Sequence, residues 1–382
     1  MKKKVFALLL SGLIIFVACK GLSPAGEKDN NKIRLGNNAP LSGAVSAYGI
    51  TTNEGIKMAI DEINKNGGIM GKKVEWHEHD DQGNITQAAY AYNKLMDGHV
   101  DAILGGITSK TTLAISEASQ EDMIPVITPT GTQSDITEGK SNVFRTCYTD
   151  PYQGSLLAIF AKDSLQARSF AVLSNASSDY SQGVANAFIK KAEELGMVKV
   201  AEESYGDGDT DFKAQLTNIR GRKPDVVILP DYYEKVALIV PQARQLEIQA
   251  NFLGGDGWDG VLNTMDPSQY KTIDRCYFTN HFAPDSDNPK VKQFVESYKN
   301  KYSKDPTAFA ALGYDTVYLT KQAIEEAGST DYKAVCRALE KIDFDGVTGS
   351  FKYDAHHNPI KSATMIRIED GKYKFDSIVS PR

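Results

Sequence analysis

The chain has 382 residues, of which 41% are hydrophobic and 24% charged, with 49 acidic against 43 basic side chains and a net charge of −6. That length exceeds the usual single core and favours two domains or one large α/β unit, while the acidic balance argues against a nucleic-acid partner. Four cysteines, sparse and widely spaced, exclude a disulfide framework and a CxxC metal site.

At the N-terminus Lys2, Lys3 and Lys4 precede an apolar run from Val5 to Val17, which is too short for a comfortable transmembrane helix and reads as an export signal over residues 1–18. It ends FVAC, with Ala18 directly before Cys19. That arrangement resembles a bacterial lipobox, whose cysteine is diacylated and becomes the new N-terminus, although Phe16 stands where leucine is usual. The other reading is a simple signal peptide cut elsewhere, with Cys19 incidental. Removal of residues 1–18 takes away three lysines and no acid, leaving a body of charge −9. Residues 19–31 lack an apolar pattern and read as a flexible tether. No later stretch is long and apolar enough to span a bilayer. Among Cys147, Cys276 and Cys336 one pair could bridge, or all three are buried as small hydrophobes.

From residue 32 short β-rich runs alternate with helical stretches. IRLGNNAP leads to the amphipathic EGIKMAIDEINKNGG, KKVEWHEHDD to AAYAYNKLMDG, and VDAILGG to a helix after Ser109; IPVITPT follows. Near Asp150-Pro151 a second series opens: SLLAIFAKDSLQ, RSFAVLS, SQGVANAFIKKAEELGM, VKVAEESY, DFKAQLTNIRGRKP, DVVILP, a helix through KVALIVPQARQL that Pro241 is expected to kink or end, and NFLGG. Strand, helix, strand in this rhythm implies parallel sheets covered by helices on both faces. Each half has enough strands for its own doubly wound sheet, so two similar α/β lobes are expected. Residues 281–327 return to helices, and the last thirty residues read as one small β unit.

Three constellations carry possible chemistry. LGGITSKTT runs from a strand through two glycines into a helix, where free N–H groups and the macrodipole favour an anion. It is no Walker A loop, because Leu104 and Ser109 stand where that motif needs glycine. Locally, Ser109 is either an ordinary N-cap or part of an anion site. GDGWDG at 255–260 matches GxGxxG formally, but it lies late in the chain and VLNTMDPSQY is a poor helix start. Asp256 within it is either a turn residue or a ligand-holding carboxylate at a strand end. His77 and His79 alternate on a strand before Asp80 and Asp81, either as ordinary strand positions or as metal ligands; no metal or cofactor is expected, and no catalytic Ser/His/Asp set is present.

Taken together, IRLGNNAPLSGAVSAYGITTNEGIKMAIDEINKNGG, HDDQGN, ILGGITSKTT, IPVITPTGT, NVFRTCYTDPYQG, GDTDFKAQLTNIRGRKPDVVILPDYYE, QARQLEI, GYDTVYLTKQAI and FDGVTGSFKYD resemble, in order, the periplasmic leucine/isoleucine/valine-binding proteins. The resemblance implies two doubly wound α/β lobes joined by a multi-strand hinge, the type I periplasmic-binding "Venus flytrap". Residues 32–150 and 280–350 would form lobe 1, and residues 151–279 and 351–382 lobe 2. It also implies a monomeric, non-enzymatic receptor on the periplasmic or extracellular face, held to the membrane only by lipid on Cys19. Such a receptor delivers a branched-chain or other neutral amino acid to an ABC permease; the runners-up are a ligand-sensing lipoprotein and a receptor for another small polar solute such as an amide. On the family's pattern, Ser109 and the Thr132 N–H hold the ligand carboxylate. The Thr130 carbonyl, the Thr132 hydroxyl and Asp256 hold the ammonium. Tyr48, Tyr180 and Tyr232 are aromatic clamps, with Tyr233 an alternative to Tyr232. The ligand side chain would lie against Ile107, Thr108, Thr130 and Phe309, and the two threonines make that pocket not purely aliphatic.

Overall fold

The computed structural model describes residues 31–380, so the export signal, Cys19 and nearly all of the tether lie outside the described residues. Strands β1 (Lys32–Ala39), β2 (Lys73–Asp80), β3 (Ala102–Ile103), β4 (Val126–Thr128) and β5 (Val143–Arg145) form a parallel sheet in the order β2-β1-β3-β4-β5. Between them run α1 (Ser46–Lys65), α2 (Ile85–Asp97) and α3 (Ser109–Asp122). On α1, Ile56, Ala59, Ile60 and Ile63 recur at helical spacing and are buried against Ile33 and Leu35 of β1. On α2, Ala88, Tyr92 and Leu95 do the same on the opposite face of the sheet, after Asn84 caps the helix by accepting the Thr86 N–H at 2.8 Å.

The second series is α4 (Asp150–Asp163), β6 (Ser169–Asn175), α5 (Asp179–Glu194), β7 (Val198–Tyr205), α6 (Lys213–Arg222), β8 (Val226–Ile228), α7 (Tyr233–Gln245), β9 (Asn251–Gly254), α8 (Val261–Thr264) and β10 (Cys276–Asn280). There follow α9 (Pro289–Tyr302), α10 (Ala308–Ala327), α11 (Tyr332–Leu339), β11 (Phe344–Gly346), β12 (Gly349–Phe351), β13 (Ala363–Glu369) and β14 (Lys372–Val379). The second sheet has the order β14-β13-β10-β9-β8-β6-β7, antiparallel only where β13 meets β10 and β14.

Helix α10 returns to the first sheet, where Val317, Leu319 and Ile324 join the core of Ile33 and Ile56. The C-terminal segments do not form one β unit. Strands β11 and β12 pair with each other and place Phe344 and Phe351 in the first core, whereas β13 and β14 extend the second sheet. The break between them falls at the chain's third passage from one sheet to the other; apolar alternation alone cannot reveal which core a hairpin will serve. Helix α7 runs on through Pro241, so that proline does not end it. Strands β5 and β10 lie in stretches that carry little signal, being short and followed by polar segments.

In both sheets the strand order reverses between the first and third parallel strands, β1/β3 and β6/β8. Open α/β sheets bind ligands beyond the strand ends at such switch points. The loops that follow β1, β3 and β4 here meet those that follow β6, β8 and β9.

Candidate functional site

The first wall of the site is built from backbone. Gly106 sits at φ +77, and a Cβ there would fall 2.5 Å from the Thr112 hydroxyl oxygen, so the turn from β3 into α3 admits only glycine. Thr108, not Ser109, is the N-cap, and it makes no side-chain cap bond; its hydroxyl pairs with that of Thr111 at 3.1 Å. Ser109 is therefore the first helical residue. The opening amides of α3 have no acceptor inside the helix and form the positive end of its dipole. Ser109 Oγ lies 3.3 Å from Thr132 Oγ1, both buried, while Lys110 points to solvent. The Thr128-to-Thr132 turn is held against the loop: the Thr128 hydroxyl donates to the Gly106 carbonyl at 2.7 Å and accepts the Gly131 N–H at 2.8 Å, and the Thr130 hydroxyl donates to the Ile107 carbonyl at 2.7 Å.

The opposite wall is built from side chains. Asp256 opens a single 3-10 turn, Asp256–Trp258, and is 2% exposed. Its Oδ1 accepts the Tyr180 hydroxyl at 3.0 Å and Gln153 Nε2 at 3.2 Å, and its Oδ2 lies 3.3 Å from His281 Nε2. Gln153 cannot turn its amide over, because its Oε1 accepts the Asp256 N–H and the Thr279 hydroxyl, each at 3.0 Å. Burial pushes His281 down to about 4, so near neutrality the imidazole is uncharged and presents an Nε2 proton to the carboxylate. It stacks on Tyr148 with ring centres 3.9 Å apart. A Cβ on Gly255 would fall 2.6 Å from both Gln153 Oε1 and the Tyr180 hydroxyl, so the close approach of this strand end requires glycine. Behind it the fully buried Trp258 indole donates to the Leu229 carbonyl at 2.8 Å.

Aromatic rings join the walls. Tyr48 stacks on Phe309 at 4.3 Å and meets Tyr232 edge-on at 5.5 Å; Tyr232 stacks on Tyr180 at 5.0 Å. The Tyr48 hydroxyl donates to the Gly257 carbonyl and accepts the Tyr233 N–H at 3.2 Å. Tyr233 turns outward, donating its hydroxyl to the Ala44 carbonyl at 2.8 Å. Of the two adjacent tyrosines, then, Tyr232 lines the cavity and Tyr233 clasps the first-lobe loop. Burial holds the Tyr232 phenol well above its usual range, and the Ser109 N–H pulls in the other direction, so the phenol lies beside the start of α3.

All ten candidates named from the sequence (Tyr48, Ile107, Thr108, Ser109, Thr130, Thr132, Tyr180, Tyr232, Asp256 and Phe309) line one narrow cavity, together with Gly257. A wider cleft, sharing Thr108, Ser109, Tyr180 and Tyr232, leads outward from it. A separate, more open groove beside α9, α10 and β11 contains none of the ten. The Thr108 hydroxyl pairs with that of Thr111, and the Thr130 hydroxyl gives its proton to the Ile107 carbonyl, which leaves Thr130 only acceptor capacity toward a side chain bound here. Sequence reasoning missed Gln153, His281 and Asp150, whose roles depend on where β9 and β10 end.

GDGWDG passes from its 3-10 turn into the four-residue α8 and opens no long helix. His77 and His79 sit half-buried along β2, and among the described residues no group of three His, Cys, Asp or Glu side chains could hold a metal ion. Cys147, Cys276 and Cys336 are buried and free, each thiol pushed up to about 12 by burial.

The family model for periplasmic binding proteins matches residues 32–372. The chain belongs to the periplasmic binding protein family. Among its relatives, the Leu/Ile/Val-binding protein BraC3 of Rhizobium johnstonii is 33% identical over 85% of this chain and 87% of its own length. A crystal structure of a leucine-binding protein LivK from Thermotoga maritima superimposes with a TM-score of 0.84 at 34% identity, covering 91% of this chain and 99% of that one. The branched-chain amino-acid binding protein LivJ of Streptococcus pneumoniae, solved with isoleucine, gives 0.83 at 31% identity over 91% and 99%. A benzoate-bound solute-binding protein from R. palustris shares the fold at a TM-score of 0.82 and 22% identity, so the fold by itself does not choose the ligand. The family comprises extracytoplasmic binding proteins of transport systems and is not an enzyme class. No helix among the described residues is long and apolar enough to cross a membrane.

Proposed function

We propose that this protein is the solute-binding component of an ABC importer and that it binds a neutral aliphatic α-amino acid, branched-chain types first, between two lobes. One observation carries the reading: a single small cavity has a helix N-terminus without a side-chain cap on one wall and a buried carboxylate on the other. A zwitterion has an anion and a cation a few ångströms apart and needs both at once. Ser109 and Thr132 receive the carboxylate, the Thr132 hydroxyl serving it from beside Ser109 Oγ and not the ammonium as the resemblance implies; Asp256 and the Thr130 carbonyl receive the ammonium. Tyr48, Ile107 and Phe309, with threonines whose hydroxyls are already engaged, favour a hydrocarbon side chain. Tyr180 and Tyr232 close the cavity from the second lobe.

The lobes are residues 32–150 with 280–350, and 151–279 with 351–382. Because the two charge-binding walls come from different lobes, ligand favours the closed arrangement, and that closure is what a permease reads. Cys19 is the lipid attachment point of a monomeric receptor; mass spectrometry of the mature N-terminus tests this. Calorimetric titration with a panel of amino acids tests the main reading. Saturable binding of leucine, isoleucine or valine, weakened in Asp256→Ala and in Ser109→Ala, is the expected outcome. Undiminished binding in both variants would place the site elsewhere.

A further inference from the structure

Asp256 has a buried companion carboxyl that the ligand reading leaves unused. Asp150 opens α4, is 1% exposed, and gives its backbone N–H to the Thr132 carbonyl at 2.9 Å. Gln153, one helical turn later, offers the same Nε2 group to Asp150 Oδ1 at 3.1 Å and to Asp256 Oδ1 at 3.2 Å. One amide nitrogen thus bridges two carboxyls in a water-excluded interior, where two neighbouring negative charges are strongly disfavoured.

The donors are shared unequally. Asp256 collects Tyr180, Gln153 and His281, whereas Asp150 has Gln153 and only the more distant Thr132 hydroxyl, and its Oδ2 has no partner within hydrogen-bond distance. The proton that the pair cannot release therefore belongs on Asp150 Oδ2. Burial, with Asp256 adding to it, raises the Asp150 carboxyl to about 7, while the Thr132 hydroxyl, Gln153 and Arg145 act against the rise. The other titratable groups that feel Asp150 are Cys147, Tyr180 and Tyr232, all pushed upward by burial and uncharged at neutral pH. Arg145 is occupied by the Gly131, Gln133 and Ser134 carbonyls and the Thr137 hydroxyl, so it does not pair with Asp150.

The Thr132 hydroxyl has one proton to give. It stands between Ser109 Oγ, at 3.3 Å, and the Asp150 carboxyl, whose charged form it favours. An ionised Asp150 takes that proton and turns the oxygen lone pairs toward the anion corner of the cavity. A protonated Asp150 leaves the hydroxyl free to donate to a carboxylate there, and removes a like charge from behind it. Resting on the amino-acid reading of the cavity, we propose that Asp150 is a proton-carrying positioning residue, and that binding of a ligand carboxylate at Ser109 and Thr132 strengthens its hold on that proton, so that molecules which have lost it in the free state take one up from solvent.

The test is calorimetric titration of the full chain with L-leucine between about pH 6 and about pH 8.5, in two buffers of different ionisation enthalpy, for the unaltered protein and for Asp150→Asn. The unaltered protein should take up a fraction of a proton per leucine near pH 7, and its Kd should rise by up to about tenfold per pH unit above that. In Asp150→Asn the side-chain amide stands in for the protonated acid, donating where the acid proton did. It should show no proton uptake, a nearly flat Kd, and tighter binding than the unaltered protein at the alkaline end. Leucine's own ammonium titrates equally in both and drops out of the difference. Leucine binding by the unaltered protein without proton uptake overturns the inference whether or not the variant folds, as does an equal pH slope in a folded variant. Absence of binding for every amino acid at every pH overturns the amino-acid reading, and this inference with it.

Discussion

The two walls of the cavity are made in different ways. The α3 wall is local: one turn with a left-handed glycine, an N-cap that leaves the helix amides free, and hydroxyls from two neighbouring loops. The Asp256 wall is assembled from α4, α5, the loop after β9 and the end of β10, with Gln153, Tyr180 and His281 all directed at its carboxylate. An anion site can be supplied by backbone, which no side-chain substitution removes. A buried cation site needs a charge, and a buried charge needs its own retinue of donors.

That contrast predicts unequal sensitivity to mutation. Asp256→Ala should be the most damaging change, costing about 2–5 kcal/mol of ligand binding, because it leaves an ammonium buried without its counter-charge. Ser109→Ala removes one hydroxyl but keeps the helix amides, so the expected loss is smaller, about 1.5–3 kcal/mol. Calorimetry on both variants decides the matter, and an equal or larger loss for Ser109→Ala would mean that the walls are not built on different principles. Gln153→Leu tests the second wall indirectly: it deletes a donor to Asp256 without touching the cavity, and a loss of roughly tenfold in affinity is expected. No loss would show that the donors around Asp256 are redundant. Tyr233→Phe removes the bond to the Ala44 carbonyl and keeps the ring against Tyr48; the expected cost is about 0.5–1.5 kcal/mol, read as a faster ligand off-rate in stopped-flow.

The smallest predicted effect is on stability. Burial raises Asp150 to about 7, Glu234 to about 7, and Asp81 and Asp259 to about 6. Between about pH 4 and these values the folded chain retains protons that the unfolded chain has released, so stability falls as pH rises through that window. His281, lowered to about 4, acts oppositely: its contribution is lost as pH falls from about 6.5 toward 4. Four carboxyls outweigh one imidazole, so the melting midpoint should be a few degrees higher near pH 5.5 than near pH 8. Calorimetric scans showing the reverse order would contradict these burial effects.

The same contrast explains what could be read without a structure. LGGITSKTT announces its geometry because a strand, two glycines and a helix start are all local signals, and even there the N-cap proved to be Thr108 and not Ser109. From its own surroundings in the sequence Asp256 reads only as a carboxylate at the end of a strand, and its ligand role comes from the family resemblance. Nothing local distinguishes it from Asp259, which is also buried but serves as an internal acceptor for the Ala308 N–H at 2.6 Å. Gln153 and His281 were invisible, since each matters through a partner 103 or 25 residues away. The C-terminal strands failed for a related reason: alternation shows that FDGVTGSF and TMIRIED form strands, but their division between two cores is decided by chain crossings that carry no pattern of their own.

Trp258 lies two residues beyond Asp256, directly after the glycine whose carbonyl Tyr48 grips from the other wall. The only other tryptophan in the chain, Trp76, is on β2 in the opposite sheet. With Trp76 replaced by phenylalanine, one indole emission band would report from the second wall of the site, a built-in fluorescent gauge of the proposed closure.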